Sequence, residues 1–294
     1  MTSLPTHVTN PIIAALGQPI EAVEHLGGSF GARLARITIK GQHFALKWAN
    51  NGAPAAMVAA EAHGLQTLAA TGTIRVPAVI LACAADDQQP AILLSEWISS
   101  DGHPLDATRL GEQLAELHRC TATAYGLERD NFIGGTPQYN ARKLDWITFF
   151  REQRLLPQIE LAERRGLLSS RQRRALAYIV DHLDDWLGGV AHVPSLIHGD
   201  LWSGNVLNGP RGTPILIDPA VSYSDREAEL AFTELFGGFS PRFYRAYQAA
   251  WPLEPGYRDR RDLYNLYHLL NHLNLFGAGY VTHIDAITHR YVKE

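Results

Sequence analysis

From Arg33 to Ile39 the chain reads Arg-Leu-Ala-Arg-Ile-Thr-Ile, polar and apolar in near alternation, which predicts a half-buried strand. Gly41-Gln42 gives a short turn into His43-Phe44-Ala45-Leu46-Lys47-Trp48, a second strand. Ahead of both, after a proline-punctuated start, Gly27-Gly28-Ser29-Phe30-Gly31 predicts a hairpin, because a strand pattern and not a helical one follows it. An Ala-rich helix carrying Glu61 is predicted over about residues 55–70, and residues 76–81 and 91–97 read as two more strands. From Leu105 the period changes. Leu110, Leu114 and Leu117 recur at helical spacing, and residues 146–186 hold two or three amphipathic helices broken near Pro157 and Gly166. Two brief strands, 196–200 and 214–219, interrupt the helical half and flank a polar loop. The pattern is α+β, with a small antiparallel sheet and one main helix in residues 1–98 and a larger, mostly helical part in residues 99–294. Residues 99–104 are the expected boundary, and no internal repeat, low-complexity tract or long linker is present.

Composition narrows the function classes. The 294 residues are 46% hydrophobic and 19% charged, enough apolar material for a large core and too little charge for disorder. Lys plus Arg less Asp plus Glu is 26 − 30 = −4, so no global positive field invites nucleic acid or anionic lipid. An anionic ligand must be held locally. Two cysteines, Cys83 and Cys120, make no disulfide framework and have no close partners for a zinc site, which fits a reducing compartment. The start of the chain lacks a basic segment followed by an apolar run, and nowhere do ~18 consecutive apolar residues occur. A cytoplasmic monomer without membrane or nucleic-acid partners is the expectation.

Phosphoryl transfer needs an acidic group to orient a hydroxyl nucleophile, oxygen ligands for Mg2+ and a cation on the nucleotide phosphates. The chain offers all three in kinase order. His198-Gly199-Asp200-Leu201-Trp202-Ser203-Gly204-Asn205 sets an Asn five positions after an Asp, the separation of base and metal-binding Asn in a kinase catalytic loop. Asp218, thirteen residues on and ending a strand, stands where a second metal ligand is needed. Lys47 ends an apolar strand, and Glu61, fourteen residues later in a helix, can be its ion-pair partner. Each alone has an ordinary reading: an exposed strand charge, a solvated helix face, a turn former before Pro219. The ordered set does not.

Weaker signals stand beside these. Gly27, Gly28 and Gly31 could let backbone amides approach phosphates, although a tight hairpin also demands glycine. The same run satisfies G-x-S-x-G, but a hydrolase elbow at Ser29 needs a helix after it. His268 and His272 share a helix face without the glutamate of a zinc-binding H-E-x-x-H, which favours packing or pocket lining. Arg164, Arg165, Arg171, Arg173 and Arg174 read as a solvated face. His198 reads as a residue that shapes its loop by hydrogen bonding or touches substrate. Trp202, two residues after Asp200, could form a flat wall beside a ligand or pack in the core, and Tyr223, Tyr264 and Tyr267 could line a pocket or pack on helix faces.

These residues match something narrower than a generic kinase. The sequence resembles the fructosamine (ketosamine) kinase family, within the protein-kinase-like superfamily that also holds aminoglycoside and choline phosphotransferases. The resemblance runs from about residue 25 to 280 and rests on Phe44-Ala45-Leu46-Lys47, Glu61-Ala62-His63-Gly64-Leu65, Asn131-Phe132-Ile133-Gly134, the 198–205 loop, Ile217-Asp218-Pro219-Ala220, Leu235-Phe236-Gly237-Gly238-Phe239 and residues 263–277. It implies a bilobal kinase-like fold and ATP-dependent phosphorylation of the third-carbon hydroxyl of a ketosamine, free or on a glycated protein. The adduct then falls apart, a deglycation. Carried over residue by residue, Asp200 is the base, Asn205 and Asp218 hold Mg2+, Lys47 and Glu61 anchor phosphate, Gly28 belongs to the nucleotide loop, and Glu96-Trp97-Ile98 is the adenine-binding hinge. Trp202 and His198 fall to the substrate. Some members carry a cysteine in the glycine-rich loop, where this chain has Gly28-Ser29-Phe30, so a redox switch there is not expected. The competing readings are a kinase of the same fold acting on an aminoglycoside or choline, and a nucleotide-binding pseudokinase.

Overall fold

The structure is a computed structural model that describes residues 4–87 and 89–292. The chain divides into two compact units. The first takes the residues through Asp106 together with Gly204–Ala220, and the second takes Ala107–Ser203 and the residues from Val221 on. This differs from the expected division at residue 98, for a physical reason. Val206–Asn208 and Pro214–Leu216 pair as an antiparallel ribbon, and Leu216 N–H donates to Arg75 O at 2.9 Å, so the segment is stitched into the first unit.

In the first unit, five strands form one antiparallel sheet in the order β1-β2-β3-β5-β4: β1 (Ala22–Gly27), β2 (Arg33–Ile39), β3 (Gln42–Ala49), β4 (Val79–Cys83) and β5 (Ala91–Glu96). β4 starts only after Pro77, which cannot donate to a ladder. Side chains alternate across a strand, so Ala35, Ile37 and Ile39 of β2 and Phe44, Leu46 and Trp48 of β3 line one face. Helix α1 (Thr6–Leu16) covers that face with Val8 and Ile12. The sequence reading missed this helix, because Pro5 and Pro11 look like breakers; Pro5 is its N-cap. The same alternation turns Lys47 to the other face, which helix α2 (Gly52–Thr71) lies against. On that face Lys47 is a cation among the buried apolar residues Leu93, Val58, Ala62 and Leu65.

The second unit is mostly helical: α3 (Ala107–His118), α4 (Trp146–Phe149), α5 (Leu156–Arg164), α6 (Ser170–Asp181), α7 (Leu183–Leu187), α8 (Arg226–Leu235), α9 (Pro241–Ala250), α10 (Tyr257–Phe276) and α11 (Val281–Tyr291). The expected break near Pro157 does not occur. A π-helical segment, Phe150–Leu155, leads straight into α5, with the proline in its first turn. The carbonyl of Gln153, which a residue at 157 with an N–H would have bonded, accepts from Arg154 Nη1 at 3.0 Å instead. The two brief strands of the sequence reading do not pair with each other. Ser195–Ile197 pairs with Ser222–Ser224, and Pro214–Leu216 lies in the first unit. Among the described residues no helix is long and apolar enough to cross a membrane.

One buried ion pair holds α8 to α10. Arg260 donates from Nε and Nη2 to the two carboxylate oxygens of Glu227, each at 2.8 Å, with both side chains at most 5% exposed. Breaking such a pair from one side leaves an uncompensated buried charge. Glu227→Gln is therefore expected to cost ~3 kcal/mol, visible as a lower midpoint in thermal unfolding. A loss under about 1 kcal/mol would place the pair with ordinary surface bridges.

Candidate active site

In the first unit, sheet and helix converge on one ammonium. Lys47 Nζ donates to Glu61 Oε1 at 2.7 Å and also to Asp218 Oδ1. Glu61 can approach because Gly64, one turn on in α2, packs against Pro219: a β-carbon there would lie 2.9 Å from the proline ring. Asp218 itself takes a left-handed backbone, φ 54°, an uncommon conformation for a residue with a side chain. Ile217 N–H donates to Asn205 O at 3.0 Å, which sets Asn205 beside Asp218. Asn205 is buried, whereas the Asp218 side chain is 45% exposed.

Two carboxylates thus share one cation. Burial works against the charge of Lys47, but the adjoining Glu61 and Asp218 outweigh it and raise its pKa. Burial pushes the Glu61 carboxyl up to about 7, with Lys47 opposing and the negative Asp218 adding to the rise. The set holds a fixed positive point with the Asp218 carboxylate bonded to it, and Asn205, tied to Ile217 through its main chain, carries a side-chain amide oxygen in the same segment. Those are hard donors suited to Mg2+, which is bound through few protein ligands and completed by phosphate and water. No cluster of three or more His, Cys, Asp or Glu able to hold a metal occurs among the described residues.

The glycine-rich segment is the β1–β2 turn. Gly28, at φ 153°, packs so closely on Ala32 that no side chain fits, and Ala32 N–H closes the turn on Ser29 O at 3.0 Å. Ser29 lies between two strands, so the hydrolase elbow is excluded on geometry. At the end of β5, Glu96 N–H donates to Ala78 O at 2.9 Å and its carboxylate holds Arg75. The Trp97 ring lies under the Arg36 guanidinium, 5.3 Å from it. The side chain of Glu96 is committed within its own unit.

In the second unit, Asp200 sits on a short loop after the strand Ser195–Ile197. Its N–H donates to His198 Nδ1 at 3.2 Å. His198 is fully buried, which corrects its expected contact with substrate: the ring shapes the loop and has no surface to offer. Trp202 is 43% exposed. Tyr264 and Tyr267 are buried, and the hydroxyl of Tyr267 donates to Gln138 Oε1 at 2.7 Å. Burial raises the Tyr267 pKa, with Arg154 opposing and the charge of Asp200 adding to the rise, which puts this part of α10 within the field of the acidic loop. His268 stacks on Phe232 with ring centroids 3.6 Å apart, and burial holds it neutral. His272, also held below its usual range by burial, stands among Phe236, Phe276 and Tyr280 at centroid distances of 4.8, 5.5 and 5.1 Å. Both histidines pack against aromatic rings. Phe236 and Phe276 remain largely exposed, an aromatic surface that periodicity alone could not announce. Arg164, Arg165, Arg171, Arg173 and Arg174 are exposed, as a solvated face should be.

The fold and the Lys47 set together define a protein-kinase-like phosphotransferase. A solved aminoglycoside phosphotransferase shares the fold at a TM-score of 0.67 over 98% of this chain and all of the other, with 15% identity. A crystal structure of a candidate fructosamine-3-kinase from Thermobifida fusca matches at 0.84, with 34% identity over 96% of this chain and 98% of that one. By sequence, a "Probable ketoamine kinase" of Synechocystis is 45% identical over 226 residues, 76% of this chain and 75% of its own. The chloroplastic protein-ribulosamine 3-kinase of Arabidopsis thaliana is 38% identical over 240 residues, 81% and 73% of the two chains. The chain matches the fructosamine kinase family over residues 5–294, and it belongs to that family.

Proposed function

We propose that the protein transfers the terminal phosphoryl group of ATP to the third-carbon hydroxyl of a ketosamine, after which the phosphorylated adduct breaks down and frees the amine. The observation that carries the reading is the single ammonium of Lys47 held between Glu61 and Asp218, with Asn205 alongside, in a chain of this family. In the reaction Asp200 accepts the hydroxyl proton as that oxygen bonds to phosphorus, and the bond to the ADP oxygen breaks. Lys47 offsets charge on the phosphates, and Glu61 keeps it aimed. Asn205 and Asp218 would hold Mg2+, which when bound neutralises negative charge on the triphosphate tail. Gly28 and the main chain of Glu96, Trp97 and Ile98 take the rest of the nucleotide, in this reading.

For the acceptor, the exposed Trp202 indole and the rings around His272 suit the apolar face of a sugar and a protonated secondary amine. The same adduct on a free amine or on a protein lysine presents that chemistry. A net charge of −4 supports a partner list without nucleic acid, and two cysteines without a disulfide fit a reducing compartment such as the cytoplasm.

The test is ATP consumption against fructosyl-, ribulosyl- and erythrulosyl-amines, with kanamycin and choline alongside and phosphorus NMR on the product. Turnover with a ketosamine and phosphate on the third carbon are expected. Turnover only with kanamycin or choline would move the substrate class, and binding of ATP with no turnover on any acceptor would make the protein a pseudokinase.

A further inference from the structure

Helices α8 and α9 are joined by the turn Phe236-Gly237-Gly238-Phe239-Ser240. Both ends of it are pinned. The Phe236 ring lies 4.8 Å from that of His272 and 5.9 Å from that of Phe232, and the Phe239 ring lies 4.9 Å from that of the fully buried Phe243. The two glycines between them are left-handed, with φ 69° at Gly237 and 96° at Gly238, a conformation that glycine adopts without steric cost. They differ in what stands beside them. A β-carbon on Gly237 would meet nothing within 4 Å. One on Gly238 would lie 2.3 Å from Ser203 Oγ and 2.5 Å from Ser203 Cβ. Rotation of the serine side chain could carry Oγ away, but its β-carbon is fixed to the backbone. One of the two segments would have to give by about 1 Å to restore ordinary carbon–carbon contact.

The contact lies between two exposed rings. Trp202 is next to Ser203 on one segment, and Phe236 is two residues before Gly238 on the other. The Ser203 segment is anchored by Leu201, which is fully buried, whereas the turn is exposed at Phe236, Gly238 and Ser240, so the turn is the segment that yields. We infer that Gly238 is a positioning residue for the acceptor: by letting the α8–α9 turn close onto Ser203, it sets how the Phe236 and Trp202 rings are spaced around a ketosamine. A sugar face is gripped by aromatic walls only where their spacing is fixed, and any side chain at 238 would wedge the two segments apart.

The inference rests on the ketosamine reading and on Trp202 meeting the acceptor, so the parent protein is assayed first. Gly238→Ala is expected to raise KM for a ketosamine about 3- to 10-fold, the scale of one misplaced aromatic contact. Its kcat and its KM for ATP should stay within about twofold, because binding lost equally from ground and transition states leaves kcat alone. Gly237→Ala places a side chain on a left-handed backbone without the collision, and it is the comparator: its thermal midpoint should fall while KM for the ketosamine stays within about twofold. Ser203→Gly removes both atoms that the new β-carbon would strike. Adding it to Gly238→Ala should return KM to within about twofold of Ser203→Gly alone. If Gly238→Ala does not fold, Gly238→Asn carries the same β-carbon in a residue more tolerant of positive φ and gives the same readouts. Equal KM values in the Gly237 and Gly238 variants, or no recovery with Ser203→Gly, would reduce the position to backbone strain. Failure of the parent to turn over any ketosamine would instead overturn the substrate reading, and this role with it.

Discussion

Asp200→Asn is expected to lower kcat by about a thousandfold, within the range typical for loss of a positioned general base, while ATP binding stays within about twofold. The size follows from what is left behind. Asparagine has nearly the same shape, and the loop remains held by the two amides on Glu229 and by the His198 ring. The acceptor hydroxyl can still be oriented, but nothing takes its proton as the oxygen bonds to phosphorus. The nucleotide contacts are expected to survive, because Lys47, Glu61, Asn205 and Asp218 belong to the first unit whereas Asp200 belongs to the second. The check is a steady-state assay with a ketosamine acceptor beside a calorimetric titration with nucleotide. A kcat within tenfold of the parent would remove Asp200 from its role, and a parallel collapse of nucleotide affinity would show that the variant had lost more than a base.

Much of this arrangement is legible along the chain, and the limit is set by range. The alternation of residues 33–39 and 43–48 announces two strands and turns Lys47 away from the apolar cluster, because side-chain direction in a strand is a local property. Glu61 is readable as a partner only because the helix that carries it follows directly. Pairing across long separations is another matter. Nothing in Pro214–Leu216 says that it bonds Arg75 and joins the first unit, or that Ser195–Ile197 pairs with Ser222–Ser224, since short apolar runs do not specify a partner. Glu229 is the clearest case. In Arg226–Leu235 a glutamate reads as a solvated helix residue, and only the approach of α3 and the 198–200 loop buries it. His198 likewise reads as a site residue because it stands beside Asp200, whereas its burial is a tertiary fact.

Lys47→Met is expected to lower kcat by about 10^2- to 10^3-fold, the scale on which removal of one preorganised charge acts in a transition state, and to raise KM for ATP as well. The ammonium has two duties, and a double substitution separates them. Without it Glu61 and Asp218 face each other uncompensated. Glu61, already pushed up to about 7, takes a proton more readily still, and the variant loses stability through repulsion and burial of a charge without its partner. Lys47→Met combined with Glu61→Leu removes that buried carboxylate, so its thermal midpoint should recover toward the parent value. Its kcat should not recover, because no cation has been returned to the phosphates. Lys47→Arg makes the same point from the other side: a planar guanidinium keeps the charge but cannot present one compact point to two carboxylates, and it should restore stability better than turnover. If the double variant regained both stability and kcat, Lys47 would be only the counter-ion of Glu61, and the nucleotide would have to be anchored elsewhere.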